Sequence, residues 1–403
     1  MLTPYDEFPV HQTPYPFSRV PSTDYNWDEG YYYGILNPDE KLLLATGFRI
    51  NPANDVISGY ALLNVAGRQF TTRFSRCWRR DFNTVIGPYR MEVLEPLRKL
   101  RLVLEENESG QSFDILWEGS APPSLEPHHY DESRGRATTD QSRYTQAGTV
   151  KGVVRLKDRE WKVADGNWVG IRDHSWGLYA ERPPLGPAAR WLSPKQKKGN
   201  QRALRLWTVF RTGAVSGYWH IHEDADGVQG RFDDVFGAPF GGEFFRGWTD
   251  EKIELATGRH QMELAPGAKM IKRLEVFLRD TRGRDWRQII EVDTPPFMPM
   301  TMGYTTGSWK DGGNFHTYHG SEELALEWDE FDFSKQPTLY TPYGIDGNSD
   351  TFAAAMGFDY TKPICGAEHL ARITTIAPDG TSMVGAGQVE MFVNGPYKPW
   401  GLE

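Results

Sequence analysis

Apolar and polar residues alternate at every second position through much of this chain, the period of a half-buried strand and not of a helix. Between Arg202 and Phe210, Leu204, Leu206, Thr208 and Phe210 share one face, and Arg205 and Trp207 share the other. Val215 to Glu223 reads Val-Ser-Gly-Tyr-Trp-His-Ile-His-Glu and runs into Asp224-Ala225-Asp226-Gly227, a hairpin signal. Lys272 to Leu278 and Trp286 to Val292 read as a second pair, and His369 to Ile376 with Gly387 to Val393 as a third around Pro378-Asp379-Gly380. Earlier in the chain, Tyr31 to Gly34, Leu42 to Arg49, Gly59 to Val65 and Gln69 to Phe74 are short strands separated by turn residues. Leu100 to Glu105, Ser112 to Trp117 and Gly148 to Leu156 continue the series. Helical period is nearly absent: Asn26 to Tyr33 is a brief helix candidate, and Pro96 to Leu104 reads as helix or strand.

Many short strands at regular spacing predict an all-β chain of two closed barrels or strongly curved sheets packed together, with few short helices. At 403 residues, two domains are expected. A stretch from Ala180 to Asn200, broken by Pro183-Pro184, Gly186-Pro187 and Ser193-Pro194, suggests the division, giving domains 1–180 and 181–403.

Composition narrows the partners. The net charge of −9 argues against nucleic acid or an anionic membrane. No apolar run is long enough to span a bilayer, and the first residues lack a basic and apolar leader pattern, so membrane insertion is not expected and the cytoplasm is the expected compartment. The two cysteines, Cys77 and Cys365, imply no disulfide framework. With 14 Trp and 18 Tyr, the chain has many side chains suited to sites apolar at one end and wet at the other, as around an apolar ligand. No Gly-x-Gly-x-x-Gly, phosphate-binding Gly-Lys-Ser/Thr loop or Gly-x-Ser-x-Gly elbow occurs, so no nucleotide cofactor is expected.

Gly170-Ile171-Arg172-Asp173-His174-Ser175-Trp176-Gly177 packs a cation, an acid, an imidazole, a hydroxyl and an indole into six residues. On a strand, Arg172, His174 and Trp176 point one way, and Asp173 and Ser175 the other. This segment, between two β halves, resembles the Arg-Asp-His-Ser-Trp-Gly signature of the carotenoid 1,2-hydratase and AttH-like lipocalin superfamily. Gly385 to Glu390 with Gly395-Pro396-Tyr397, and Gly87 to Arg90 with Glu95 to Arg98, are similar to other parts of that family. The resemblance implies two lipocalin-like barrels and cofactor-free rearrangement of apolar molecules, with His174 and Trp176 at the chemistry. It also implies an acid two residues after a tyrosine on the following strand, where this chain has Tyr218-Trp219-His220.

The expectation is therefore a hydratase or a lyase, hydro-lyase or carbon–carbon lyase, acting by acid–base chemistry on a hydrophobic, oxygenated substrate such as a terpenoid or a phenylpropanoid-type aromatic, in a barrel pocket. Retro-aldol cleavage suits a His/Tyr site better than alkene protonation, because it needs only a base at a hydroxyl. His174, His220, Tyr218 and Asp173 are the candidate catalytic groups. Trp176, Arg172, His222, Trp309, His316, Tyr318 and His319 are the candidate substrate contacts. His220 and His222 share a strand face and could reach a common metal, but no third ligand stands at a telling spacing, so no metal is assigned. The alternatives are a non-catalytic carrier of lipids or pigments and a cyclase or isomerase working by shape. The chain could pair as a homodimer. His128-His129-Tyr130-Asp131, after Pro122-Pro123, reads as an exposed loop.

Overall fold

The computed structural model describes all residues except 1, 8, 10–12, 21, 134, 165, 180–198, 234–236, 250, 266–269, 305–306, 333, 335–365, 394–395 and 402–403. The expected division at Ala180 to Asn200 lies almost wholly outside the described residues.

The alternating segments form two sheets. The first takes β1 (Trp27–Asn37), β2 (Leu42–Asn51), β3 (Val56–Val65), β4 (Arg68–Cys77), β5 (Val85–Ile86), β6 (Tyr89–Glu95), β7 (Lys99–Leu104), β8 (Gln111–Gly119), β9 (Ser124–Leu125), β10 (His129–Ser133), β11 (Arg136–Leu156), β12 (Arg159–Val163) and β13 (Val169–Tyr179). The second takes β14 (Leu204–Thr212), β15 (Val215–Glu223), β16 (Phe240–Arg246), β17 (Glu251–Leu264), β18 (Ile271–Asp280), β19 (Asp285–Glu291), β21 (Gly366–Ile376) and β22 (Ser382–Val393). These eight close into a barrel, with β14 pairing β22. The first sheet curls without closing, in the order β4-β3-β2-β1-β13-β11-β8-β7-β6-β5, with one further strand beyond β4. Its edge strand β20 (Ala325–Asp332) comes from late in the chain and pairs with β4. Arg73, wholly buried, clamps that edge strand by bonding Glu327 and Asp329. The regular helices among the described residues are short 3-10 turns.

Two sequence readings are corrected. Asn26 to Tyr33 belongs mainly to strand β1, because its tyrosines alternate between two buried faces. His129 begins strand β10 and is buried, not on an exposed loop, because β11 extends to Arg136 and supplies it with a ladder partner.

Three apolar clusters follow from the strand period. Tyr33, Phe48, Phe74, Tyr89, Phe113 and Trp117 fill the cup of the first sheet. Phe210, Trp219, Phe244 and Trp286, each at most 2% exposed, fill the closed barrel together with their neighbours. An eight-stranded barrel has room for side chains or for one small ligand, and here the large aromatics occupy it. The third cluster lies between the halves: Tyr32, Tyr60, Ile171, Trp207, Tyr218 and Phe315 are among its members. Strands β2 and β15 are buried at every position because one face meets its own core and the other contributes to the third cluster. Strands β11 and β13 of the first sheet therefore lie across β14, β15 and β22 of the barrel.

Candidate active site between the halves

Strand β13 is the shared wall of two sites. Its period of two sends Arg172, His174 and Trp176 into the cup of the first half, and Ile171, Asp173 and Ser175 toward the barrel. The sequence candidates are thereby divided.

On the cup side, His174 Nε2 lies 2.8 Å from Glu29 Oε1, and Nδ1 lies 3.2 Å from the Tyr144 hydroxyl. When Nε2–H donates to Glu29, Nδ1 accepts from Tyr144, giving a carboxylate–imidazole–phenol chain. Tyr31 stacks on the imidazole at 3.8 Å, and Trp176 tilts against it at 5.1 Å. Burial raises the Tyr144 hydroxyl above its ordinary value, against the pull of Arg172. Arg172 itself donates twice to Gln146 Oε1, at 2.8 and 2.6 Å, and lies over the Trp117 ring. Its guanidinium is thus held by the protein.

On the other face, Asp173 looks into the space between the halves. Among the described residues its carboxyl has no hydrogen-bond partner, and its oxygens still reach accessible space although protein surrounds them. Burial raises its pKa, opposed by Arg143, Arg49 and His174, while Glu390 adds to the rise. Burial thus shifts its proton equilibrium toward the acid form, against the pull of the neighbouring cations. Beside it, from β11, stands Arg143, whose Nε is buried without an acceptor. Glu126, also raised by burial, lies within electrostatic range of both and accepts from Trp207 Nε1 at 3.3 Å.

The barrel contributes Tyr218, His220 and His222 to this interface, all on the outer face of β15 because Trp219 and Ile221 take the inner one. His220 and His222 stack at 4.6 Å. Arg205 Nη1 donates to His222 Nε2 at 3.2 Å, so His222 donates through Nδ1 to Ala238 O at 2.9 Å. Both nitrogens are engaged, and burial with the neighbouring His220 and arginines holds this imidazole neutral. His220 is pushed down to about 3, first by burial and then by Arg205 and Arg202. Its Nε2 has no partner. Burial likewise lifts Tyr218 well above a free phenol.

Buried polar chains flank the space. Tyr32 donates to Gln388 Oε1 at 2.6 Å, and Gln388 donates to Glu368 at 2.9 Å. Burial and the neighbouring Glu390 push Glu368 well up. On the other flank, Arg49 Nη1 reaches both Asp28 oxygens at 3.1 Å, and His316 Nε2 reaches Asp28 at 3.0 Å. Arg49 crosses over Gly30, where a Cβ would sit 2.5 Å from Nη1, so a side chain at position 30 would displace the guanidinium.

Of the remaining candidates, Trp309 and His319 stack at 3.7 Å in a separate turn, where His319 binds Asp311 at 2.7 Å, and Tyr318 is exposed. The structure brings Asp173, Tyr218, His220, His222 and His316 to the interface, and leaves His174, Arg172 and Trp176 behind β13. Sequence reasoning did not single out Arg143, Glu126, Glu29 or Tyr144. Arg143 lies two residues from Gln141 and Thr145 on one strand face, but only the long-range pairing of β11 with β13 shows what that face meets.

Two solved structures match this chain at low similarity. A crystal structure of kievitone hydratase from Nectria haematococca has a TM-score of 0.42 and 9% identity, covering 98% of this chain and 96% of that one. A crystal structure of CghA with Sch210972 has a TM-score of 0.44 and 7% identity, covering 92% and 89%. The sequence matches no curated protein. Residues 2–338 match a family described as "Family of unknown function (DUF8625)", and the chain belongs to that family.

Proposed function

We propose that this chain is a cofactor-independent hydro-lyase, a hydratase or dehydratase of a hydrophobic, oxygenated substrate, working in the space between its halves. The observation that carries the reading is Asp173: a carboxyl surrounded by protein, with accessible oxygens, no hydrogen-bond partner among the described residues and a raised pKa. Carboxylic acids serve as proton donors when burial keeps them protonated near neutrality. In the hydration direction, Asp173 gives its proton to one alkene carbon and the other carbon becomes cationic. Water adds there, and the proton it sheds returns to the carboxylate, restoring the acid. Trp207 and Tyr218 belong to the apolar cluster beside it, and an aromatic ring face near such a cation would stabilise it.

The state of His220 favours this over carbon–carbon cleavage. An imidazole whose pKa burial pushes to about 3 is too weak a base to take a proton from an alcohol. It can assist a water already attacking a cation. The likeness of Arg172–Gly177 to the carotenoid hydratase signature also supports a hydratase. A carrier would gain nothing from several ionisable groups at one apolar interface, because each costs desolvation.

A second reading places the chemistry in the cup, on the Glu29–His174–Tyr144 chain, which has the geometry of a base oriented by a carboxylate. The test of the first reading is incorporation of solvent label. Aryl alkenes and terpenoid alcohols are incubated with protein in deuterated, oxygen-18 water, and products are read by mass spectrometry. Incorporation of deuterium at carbon together with labelled oxygen, lost in Asp173→Asn, is the expected result. Products that carry neither label, or a variant as active as wild type, overturn it.

A further inference from the structure

Arg143, a partly buried cation at the interface, has no direct contact to its charge among the described residues. Arg49 has Asp28, Arg205 has Glu390, and Arg172 has Gln146. Arg143 makes no hydrogen bond and no ion pair within 4.0 Å among the described residues. Its Nε is buried without an acceptor, and its two Nη nitrogens, also without acceptors, retain accessible surface. A guanidinium offers five donors in a fixed planar fork, and leaving them unmet in an enclosed space is costly. The acids nearest in electrostatic influence, Asp173 and Glu126, act on it from a distance and make no direct contact with it.

The rest of the surroundings is apolar or aromatic. Ala147 lies on the same face of β11, Ile171 on the facing side of β13, and Trp207, Val209 and Tyr218 on the barrel strands opposite. A guanidinium that keeps accessible surface beside these apolar and aromatic side chains fits a flat, apolar molecule carrying one anionic oxygen group. We propose that Arg143 is the anchor for such a group, so that the ligand is an apolar acid: a carboxylate, or an enol or phenol acidic enough to ionise. Two oxygens of a carboxylate match the two edge N–H groups of the fork. The inference rests on the interdomain space being the ligand site, and it deepens that reading by naming the substrate class. Anchoring at Arg143 places the apolar body along Trp207 and Tyr218, with Asp173 beside the anchored end. The proton donor is then close to the polar end of the molecule, where an alkene conjugated to the acid group would lie.

The test compares an acid with its uncharged twin: 2-naphthoate and methyl 2-naphthoate, titrated against the full-length protein with calorimetry and tryptophan fluorescence. Wild type is expected to bind the acid at least about ten-fold more tightly than the ester, the usual worth of one charge-assisted contact. Arg143→Met is expected to remove that preference, with both probes binding within about three-fold of each other; its retained ester binding reports that the space is still formed. Arg143→Lys should keep part of the preference, since it retains the charge but not the fork. Asp173→Asn should bind the acid as tightly as wild type or better. Equal affinities in wild type, an acid preference that survives Arg143→Met, or no binding of either probe to wild type overturns the proposal. If the preference follows Arg143 while Asp173→Asn retains turnover, the anchor stands and the acid assignment fails. If turnover depends on Asp173 but the preference ignores Arg143, the reverse holds.

Discussion

His369 offers a clean measure of how firmly this fold keeps its histidines neutral. It is wholly buried on β21; Nδ1 donates to Val389 O at 3.2 Å and Nε2 accepts from the Ile271 amide at 3.3 Å. Protonating Nε2 would break the second bond and bury a charge, so burial lowers its pKa from 6.5 to about 4. A lowered folded pKa means the unfolded chain takes the proton first. The contribution of His369 to stability is therefore intact above about pH 6.5 and lost as pH falls toward 4. Each pKa unit corresponds to about 1.4 kcal/mol, so the loss is about 2 kcal/mol between pH 7 and 5 and about 3 kcal/mol by pH 4. Asp173, Glu126 and Glu368 act in the opposite sense, because their raised folded pKa values stabilise the native state as pH falls toward 4. Comparing His369→Gln with wild type cancels those shared terms. In urea unfolding at pH 7 and pH 5, the variant should be less stable at pH 7 by about 1 kcal/mol, the value of a lost hydrogen bond. At pH 5 the difference should shift in the variant's favour by about 2 kcal/mol. A stability difference that stays the same at both pH values would refute the reasoning.

Other consequences are equally direct. Asp28→Asn leaves Arg49 buried beside an uncharged partner and should cost about 3–5 kcal/mol in urea unfolding, whereas replacing Arg49 and Asp28 together by Met and Leu should recover most of it. Trp219→Ala opens the middle of the filled barrel and breaks a 2.7 Å bond to Gln288, for a loss of about 3–5 kcal/mol. Trp219→Ala should leave the acid-over-ester preference of the interface unchanged, since Trp219 faces the barrel core.

Much of the fold was legible because the strand period is a local signal. The assignment of Leu204, Leu206 and Phe210 to one face and Arg205 and Trp207 to the other is what separates barrel core from interface. The tyrosines of β1 misled because Tyr31, Tyr32 and Tyr33 are consecutive, and an aromatic run buried on both faces lacks alternation. At the site, the alternation within Arg172 to Trp176 correctly separated Asp173 from His174. It could not say which face met the second half. The partners of each, Glu29 and Tyr144 for His174 and Arg143 for Asp173, lie on β1 and β11, the strands that pair with β13, and reach it through long-range pairing alone. Their chemistry is set by burial, which no local spacing records. His129 shows the same limit: its pKa falls to about 3 because β10 is covered, although its sequence neighbours read as a polar loop.

The central claim is that chemistry occurs on the face of β13 that carries Asp173. The most direct measurement is turnover of one labelled hydrophobic substrate by Asp173→Asn and His174→Ala side by side, with wild type as reference. The account predicts a loss of about 10²–10⁴-fold in Asp173→Asn, the usual effect of removing a general acid, and a change within about ten-fold in His174→Ala. A His174→Ala protein that is inactive while Asp173→Asn turns over normally would contradict it and move the chemistry into the cup.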